Sequence, residues 1–187
     1  DMENGFIWKI NGTSITAETP ADIDLSVTNT AEHIPAALYS LISTNQNDFG
    51  FHLGRSGAFD FPAVLSVKAD VSCAGLMANL FWYDVENGVL QCIQTVTVGG
   101  AFERSIPYAD FALSKGQDYF IAFGTESLNG RDIHTDGSIT DENGAYLRPA
   151  AHTCDLPTQR FPAIPLTETS LLSNFPKDVQ VLRVMTS

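Results

Sequence analysis

The stretch Asp132-Ile133-His134-Thr135-Asp136-Gly137-Ser138-Ile139-Thr140-Asp141-Glu142-Asn143 has the length and spacing of a twelve-residue calcium loop. Such a loop offers oxygen ligands at positions 1, 3, 5, 7, 9 and 12, and it turns sharply at a glycine in position 6. Asp132, Asp136 and Gly137 stand where the pattern asks, and Ile139 fills the apolar eighth place. His134 takes a position that a hard cation fills with oxygen, and Asn143 stands in place of the closing bidentate carboxylate. No cofactor is expected; Ca2+ held by Asp132 and Asp136, the clear metal ligands, is the alternative, and its affinity would be weak. The same residues also read as a hairpin: Gly137 to Thr140, a turn at Asp141-Glu142-Asn143-Gly144, and a strand through Ala145-Tyr146-Leu147.

Aromatic side chains supply a second chemistry, since Trp8, Trp82 or Tyr83 could form a ligand-binding platform on which a sugar ring stacks. Burial in a core explains the same residues. Trp82 and Tyr83 are neighbours on a strand and face opposite ways, so both cannot belong to one platform. Catalysis finds little support. His33, His52, His134 and His152 lack HExxH or paired spacing, and the chain has no GxSxG elbow, phosphate loop or CxxC. Asp60, Asp70, Asp84 and Asp110 could lend two carboxylates to a glycosidase site, but acids near strand ends usually serve turns. Catalytic residues are therefore expected to be none, and the protein is expected not to be an enzyme. Cys73, Cys92 and Cys154 are an odd number, and Cys92 lies mid-strand as a small hydrophobe. A Cys73–Cys92 disulfide is disfavoured, because the hairpin register sets Cys92 near Phe81.

The elements that must position these residues centre on Met77 to Val98. MANLFWYD and VLQCIQTVTV read as two strands joined at Asn87-Gly88, where positive φ costs little. Leu90, Cys92, Val96 and Val98 fall on one face by simple alternation, and Val89, Ile93, Thr95 and Thr97 on the other. Leu80, Phe81, Tyr83, Ile93, Val96, Phe120 and Phe123 are the expected core. Phe6 to Ile10, a turn at Asn11-Gly12 and a partner strand from Ser14 predict another hairpin. Asn11-Gly12-Thr13 matches a glycosylation acceptor, but a turn accounts for those residues. Strands are also expected over Ile23–Thr28, Phe49–Leu53, Ala58–Phe61, Val64–Val67, Ala101–Ile106, Tyr108–Phe111 and Asp118–Phe123, with a short helix after Pro35 through Ile42. Strands this short and this regularly spaced predict an all-β protein, an antiparallel β-sandwich over residues 1–124. Residues 125–187 are expected to be an irregular extension. It holds five of the nine prolines and ends in a clean strand, Asp178 to Val184.

The chain is 187 residues long, with 22 acidic against 10 basic residues and a net charge of −12. That surface repels phosphate backbones and anionic lipid, so nucleic acid is not an expected partner. No window approaches the ~20 apolar residues of a membrane-spanning helix, so no membrane insertion is expected. The chain opens at Asp1 without a signal-peptide pattern, and a removed leader or a larger parent protein would read the same.

Phe49-Gly50-Phe51, Ala78-Asn79-Leu80-Phe81-Trp82-Tyr83, Glu86-Asn87-Gly88-Val89-Leu90 and Asp118-Tyr119-Phe120-Ile121 resemble a β-sandwich module of secreted surface proteins from anaerobic gut Firmicutes. Its patterns are of the type ANLYYYN, ETGKLE and HASDYVI, and a dockerin often lies nearby. Residues 132–143 and the later His152-Thr153 and Gln159-Arg160-Phe161-Pro162 also resemble one dockerin repeat. Gly144 and Pro149 oppose the helix that such a repeat requires. The resemblance implies an extracellular or cell-surface location and a non-catalytic structural or protein-interaction module. Its partner would be a protein or a surface polysaccharide. A carbohydrate-binding module and a weak calcium-dependent, dockerin-like module are the alternatives.

Overall fold

The structure, a computed structural model, describes residues 5–15, 23–99 and 106–148. In chain order the elements are β1 (Phe6–Ile10), β2 (Val27–Thr28), α1 (Ala36–Tyr39), β3 (Phe49–Leu53), β4 (Ala63–Lys68), β5 (Met77–Asp84), β6 (Val89–Thr97), β7 (Tyr108–Leu113) and β8 (Asp118–Gly124). β9 (Asp132–His134), β10 (Ile139–Thr140) and β11 (Tyr146–Arg148) follow. The strands pair antiparallel in two sheets, a small one in the order β1-β4-β7 and a large one in the order β11-β10-β9-β6-β5-β8-β3-β2. This is an all-β sandwich.

Two apolar cores follow from the two faces of the large sheet. Between the sheets, Phe6, Leu65 and Phe111 of the small sheet meet Phe51, Leu80 and Tyr119 of the large one, all buried. On the opposite face, Phe81, Leu90, Phe120 and Ile133 are covered by Ile34, Leu38 and Ile42, which the α1 segment carries. β8, central in the large sheet, is buried from Asp118 through Phe123, as expected of a strand covered on both sides. The alternation of β5 serves this arrangement directly. Leu80 enters the first core and Phe81 the second, while Trp82 packs against the first and Tyr83 against the second. Of the expected core, Leu80, Phe81, Phe120 and Phe123 are buried, and Tyr83, Ile93 and Val96 are half-buried against a core. The carboxylate of Asp48 accepts the backbone N–H groups of Phe123, Thr44 and Asn45, which ties the segment after α1 to β8. Burial raises its pKa against these hydrogen bonds.

The expected division of β6 into faces is corrected by a bulge. Leu80 pairs with Gln94 but Phe81 pairs with Cys92, so Ile93 is an extra residue and the facing of the strand reverses there. Leu90 and Cys92 join the second core, whereas Ile93, Val96 and Val98 pack in the first. The reversal also turns Gln94 toward the small sheet, where its Oε1 accepts the Ala112 N–H at 3.0 Å.

Other expectations change for local reasons. β1 pairs with β4, and among the described residues no strand follows Asn11-Gly12, because the Asn11 carboxamide accepts the Thr13 N–H and winds the chain into a short 3-10 turn over Gly12–Ser14. The strand expected over Ile23–Thr28 shortens to β2. The Asp24 carboxylate takes the Ser26 N–H, and the Leu25 carbonyl accepts from the Trp8 indole. Ala58–Phe61 is not a strand: after β3 the chain crosses to β4 in the other sheet. Cys73 and Cys92 are buried free thiols, and burial pushes the Cys92 thiol up to about 12. β9 pairs with β6, so the large sheet continues past the boundary expected near Gly124. Most of Ala101–Ile106, Cys154, His152 and the C-terminal strand Asp178 to Val184 lie outside the described residues.

Candidate functional site

Register brings two of the sequence-predicted residues onto one surface. Gln91 pairs with Trp82 on one side and Asp132 on the other, and Val89 likewise lies between Asp84 and His134. Trp82, Asp84, Asp132 and His134 therefore share one face of β5, β6 and β9. Lys115 reaches into this group, its Nζ 3.5 Å from the centre of the Trp82 ring. Asp84 is held below its ordinary range first by the hydrogen bond from the Asn87 carboxamide, with the Lys115 ammonium a smaller contribution. Burial raises the Asp132 carboxyl above the ordinary range, outweighing the attraction of His134 and, more weakly, of Lys115, with Asp84 adding repulsion. The Trp82 indole donates to the Gly116 carbonyl at 3.1 Å.

The other two aromatic candidates lie elsewhere. Tyr83 faces the opposite side of β5, against the second core. Trp8 sits on β1, with its indole N–H donated to the Leu25 carbonyl at 2.9 Å and its ring tilted over Phe59 at 5.6 Å. It borders a hollow of about 170 Å³ lined by Phe6, Leu25, Ser26 and Val27. Trp8, Trp82 and Tyr83 thus do not converge on one platform.

The calcium-loop pattern folds as two successive hairpins, β9–β10 and β10–β11. The first turn closes through Gly137, at φ +85°, with the His134 N–H bonded to the Ser138 carbonyl. Asp136 spends its carboxylate on the Ser138 N–H and hydroxyl, at 2.9 and 2.7 Å, which lowers its pKa. Asp141 does the same for Asn143 and Ala145. Acids that cap their own turns do not aim at a common centre, and His134 is bonded to the Thr140 hydroxyl at 2.9 Å. Calcium titration calorimetry should accordingly show no submicromolar binding, and Asp136→Ala should leave the thermogram unchanged. Submicromolar binding that Asp136→Ala removes would restore the metal loop.

Asp70 and Asp84, considered above as glycosidase carboxylates, also hold turns. Asp70 caps the 3-10 turn at Ser72, and Asp84 accepts the Glu86 and Asn87 N–H groups beneath the β5–β6 turn. Asp110 binds Lys9 at 2.8 Å and the Ser66 hydroxyl.

A cluster with no sequence motif lies at the β3–β8 pairing. His52 and Asp118 are directly opposite each other across the strands, and His52 Nδ1 is 2.8 Å from Asp118 Oδ1. His33, from the turn before α1, sets its ring 4.8 Å from that of His52, centre to centre. One ligand atom from each of the three residues lies within 4.8 Å of the others. Asp118 is 5 % exposed, whereas His33 faces solvent. Glycine at position 50 permits this approach: a Cβ there would stand 2.6 Å from the Ala31 Cβ. The turn that carries His33 can therefore lie directly on β3. Asp24 adds a carboxylate close enough for the His52 imidazole to lower its pKa, behind the larger effect of its Ser26 hydrogen bonds. Neither sequence spacing nor periodicity signals this cluster, since strand pairing unites His52 with Asp118 and the packing of the turn on β3 adds His33.

Comparison with protein-family models, curated proteins and solved structures yields no match. No helix among the described residues is long and apolar enough to cross a membrane.

Proposed function

We propose that the chain is a non-catalytic structural or protein-interaction module, part of an exported cell-surface protein. What supports this function is the use made of its polar aromatics. The indoles of Trp8 and Trp82 and the hydroxyl of Tyr119 are donated to the backbone carbonyls of Leu25, Gly116 and Lys115, and each bond pins a connecting loop to the sandwich. Side chains that lock loops stiffen a scaffold, and a stiff sandwich suits a module that spaces or presents its neighbours. The resemblance of the β3, β5 and β8 segments to secreted surface modules agrees with that role.

A carbohydrate-binding role is the second possibility, favoured by the Trp82, Asp84 and Asp132 surface, where an aromatic ring lies among polar groups. Against it, Lys115 already occupies a face of the ring. Trp82→Ala separates the two. As a scaffold residue, Trp82 should lower the unfolding free energy by about 2–4 kcal/mol when truncated, since it is half-buried and hydrogen-bonded. Retention on insoluble cellulose or xylan should be absent before and after the substitution. Retention that disappears in Trp82→Ala while stability holds would overturn the scaffold assignment.

A further inference from the structure

The His33, His52 and Asp118 cluster combines two imidazoles and one carboxylate from three separate parts of the chain. Asp118 is nearly devoid of solvent, and a buried carboxylate is costly unless a cation or strong hydrogen bonds meet it. His52 provides one such bond. His33 adds nothing to that pair as a hydrogen-bond partner, yet the chain is shaped to bring it close. Ile34, its neighbour, is anchored in the second core, and the glycine at 50 removes the side chain that would hold the turn away. Two imidazoles side by side would repel as cations, whereas as neutral rings they can share a cation with the carboxylate.

The geometry points to a binding site for a divalent transition cation, zinc foremost, held by one ligand atom each from His33, His52 and Asp118, with solvent completing the shell. Nitrogen donors exclude a preference for calcium, which takes six to eight oxygens, and two histidines with a carboxylate form a common zinc set. Zinc bonds of about 2.0–2.2 Å bring tetrahedral ligand atoms to roughly 3.4 Å of one another. From a widest separation of 4.8 Å, side-chain rotation on the order of 1 Å closes the site. With His52 neutral, the ion replaces the Nδ1 hydrogen that faces Asp118, and that hydrogen passes through solvent to Nε2. His33, on the exposed side, leaves the remaining coordination positions open to water.

The test uses the full chain, stripped by chelator and titrated with zinc chloride in a calorimeter, and with cobalt chloride by visible absorption. One ion per chain is expected, with cobalt bands of nitrogen and oxygen ligation and no thiolate charge-transfer band. His33→Ala and Asp118→Asn should each weaken zinc binding at least tenfold. His33 is exposed, so its variant keeps the fold even where Asp118→Asn proves unstable, and near-ultraviolet circular dichroism verifies this. Absence of zinc binding, or affinity in His33→Ala equal to that of the parent, would overturn the site. Binding lost in His134→Ala instead would overturn it as well, by placing the ion elsewhere.

Discussion

Phe51→Ala is expected to lower the unfolding free energy by about 3–5 kcal/mol, the range for truncating a buried aromatic. Phe51 is fully buried at the centre of the first core. Its ring stacks on Tyr119 at 5.1 Å with an interplanar angle of 10°, and it meets Phe6 at 5.5 Å. The cost should fall in the upper part of the range because the walls cannot close on the vacated space. Tyr119 is held by its hydroxyl to the Lys115 carbonyl, and β3 is fixed between β8 and β2. A domain has only ~5–15 kcal/mol of net stability, so this variant is expected to be partly unfolded near physiological temperature. Urea unfolding followed by tryptophan fluorescence measures it. A loss under ~1 kcal/mol would show that the ring does not fill the space between the sheets.

Gly116→Ala should cost about 2–3 kcal/mol, unusual for adding one methyl group at a loop position. A Cβ at residue 116 would lie 2.3 Å from the Arg55 carbonyl oxygen and 2.7 Å from that of Gly57. Both obstacles are backbone, so no rotamer change relieves the overlap, and the loops after β3 and before β8 must separate. That separation strains the Gln117 N–H bond to the Arg55 carbonyl and the Trp82 bond to the Gly116 carbonyl. A red shift of the native fluorescence should therefore accompany the loss of stability. Gly57→Ala is the control, because a Cβ there meets nothing within 4 Å, and its effect should stay within about 0.5 kcal/mol. Equal stability of the two variants would show that the loops are not packed as described.

The two glycines at 50 and 116 illustrate what a single sequence conceals. Each reads as a punctuation mark in or near a strand, yet each is needed because another backbone segment lies against it. The partner segments are distant in the chain, and periodicity reports only which face a residue takes. The bulge at Ile93 is concealed in the same way. Nothing in VLQCIQTVTV marks it, and the reversal shows only in the pairing, Leu80 with Gln94 and then Phe81 with Cys92.

Short-range preferences suffice for the β5–β6 hairpin at Asn87-Gly88, for a helical turn after Pro35, shorter than the expected reach to Ile42, and for the all-β class. Each rests on a preference that a few adjacent residues express without help, such as positive φ at Gly88 or branched side chains on a pleated strand. Calcium loop and hairpin were both open readings of Asp132 to Asn143, and the chain there forms two hairpins, with β9 paired to β6. Only the tertiary structure set Lys115 over Trp82 and gathered His33, His52 and Asp118, because both groupings depend on which strands pair and in what register. Pairing is fixed by burial of the two cores as wholes, and no short stretch of residues carries that information.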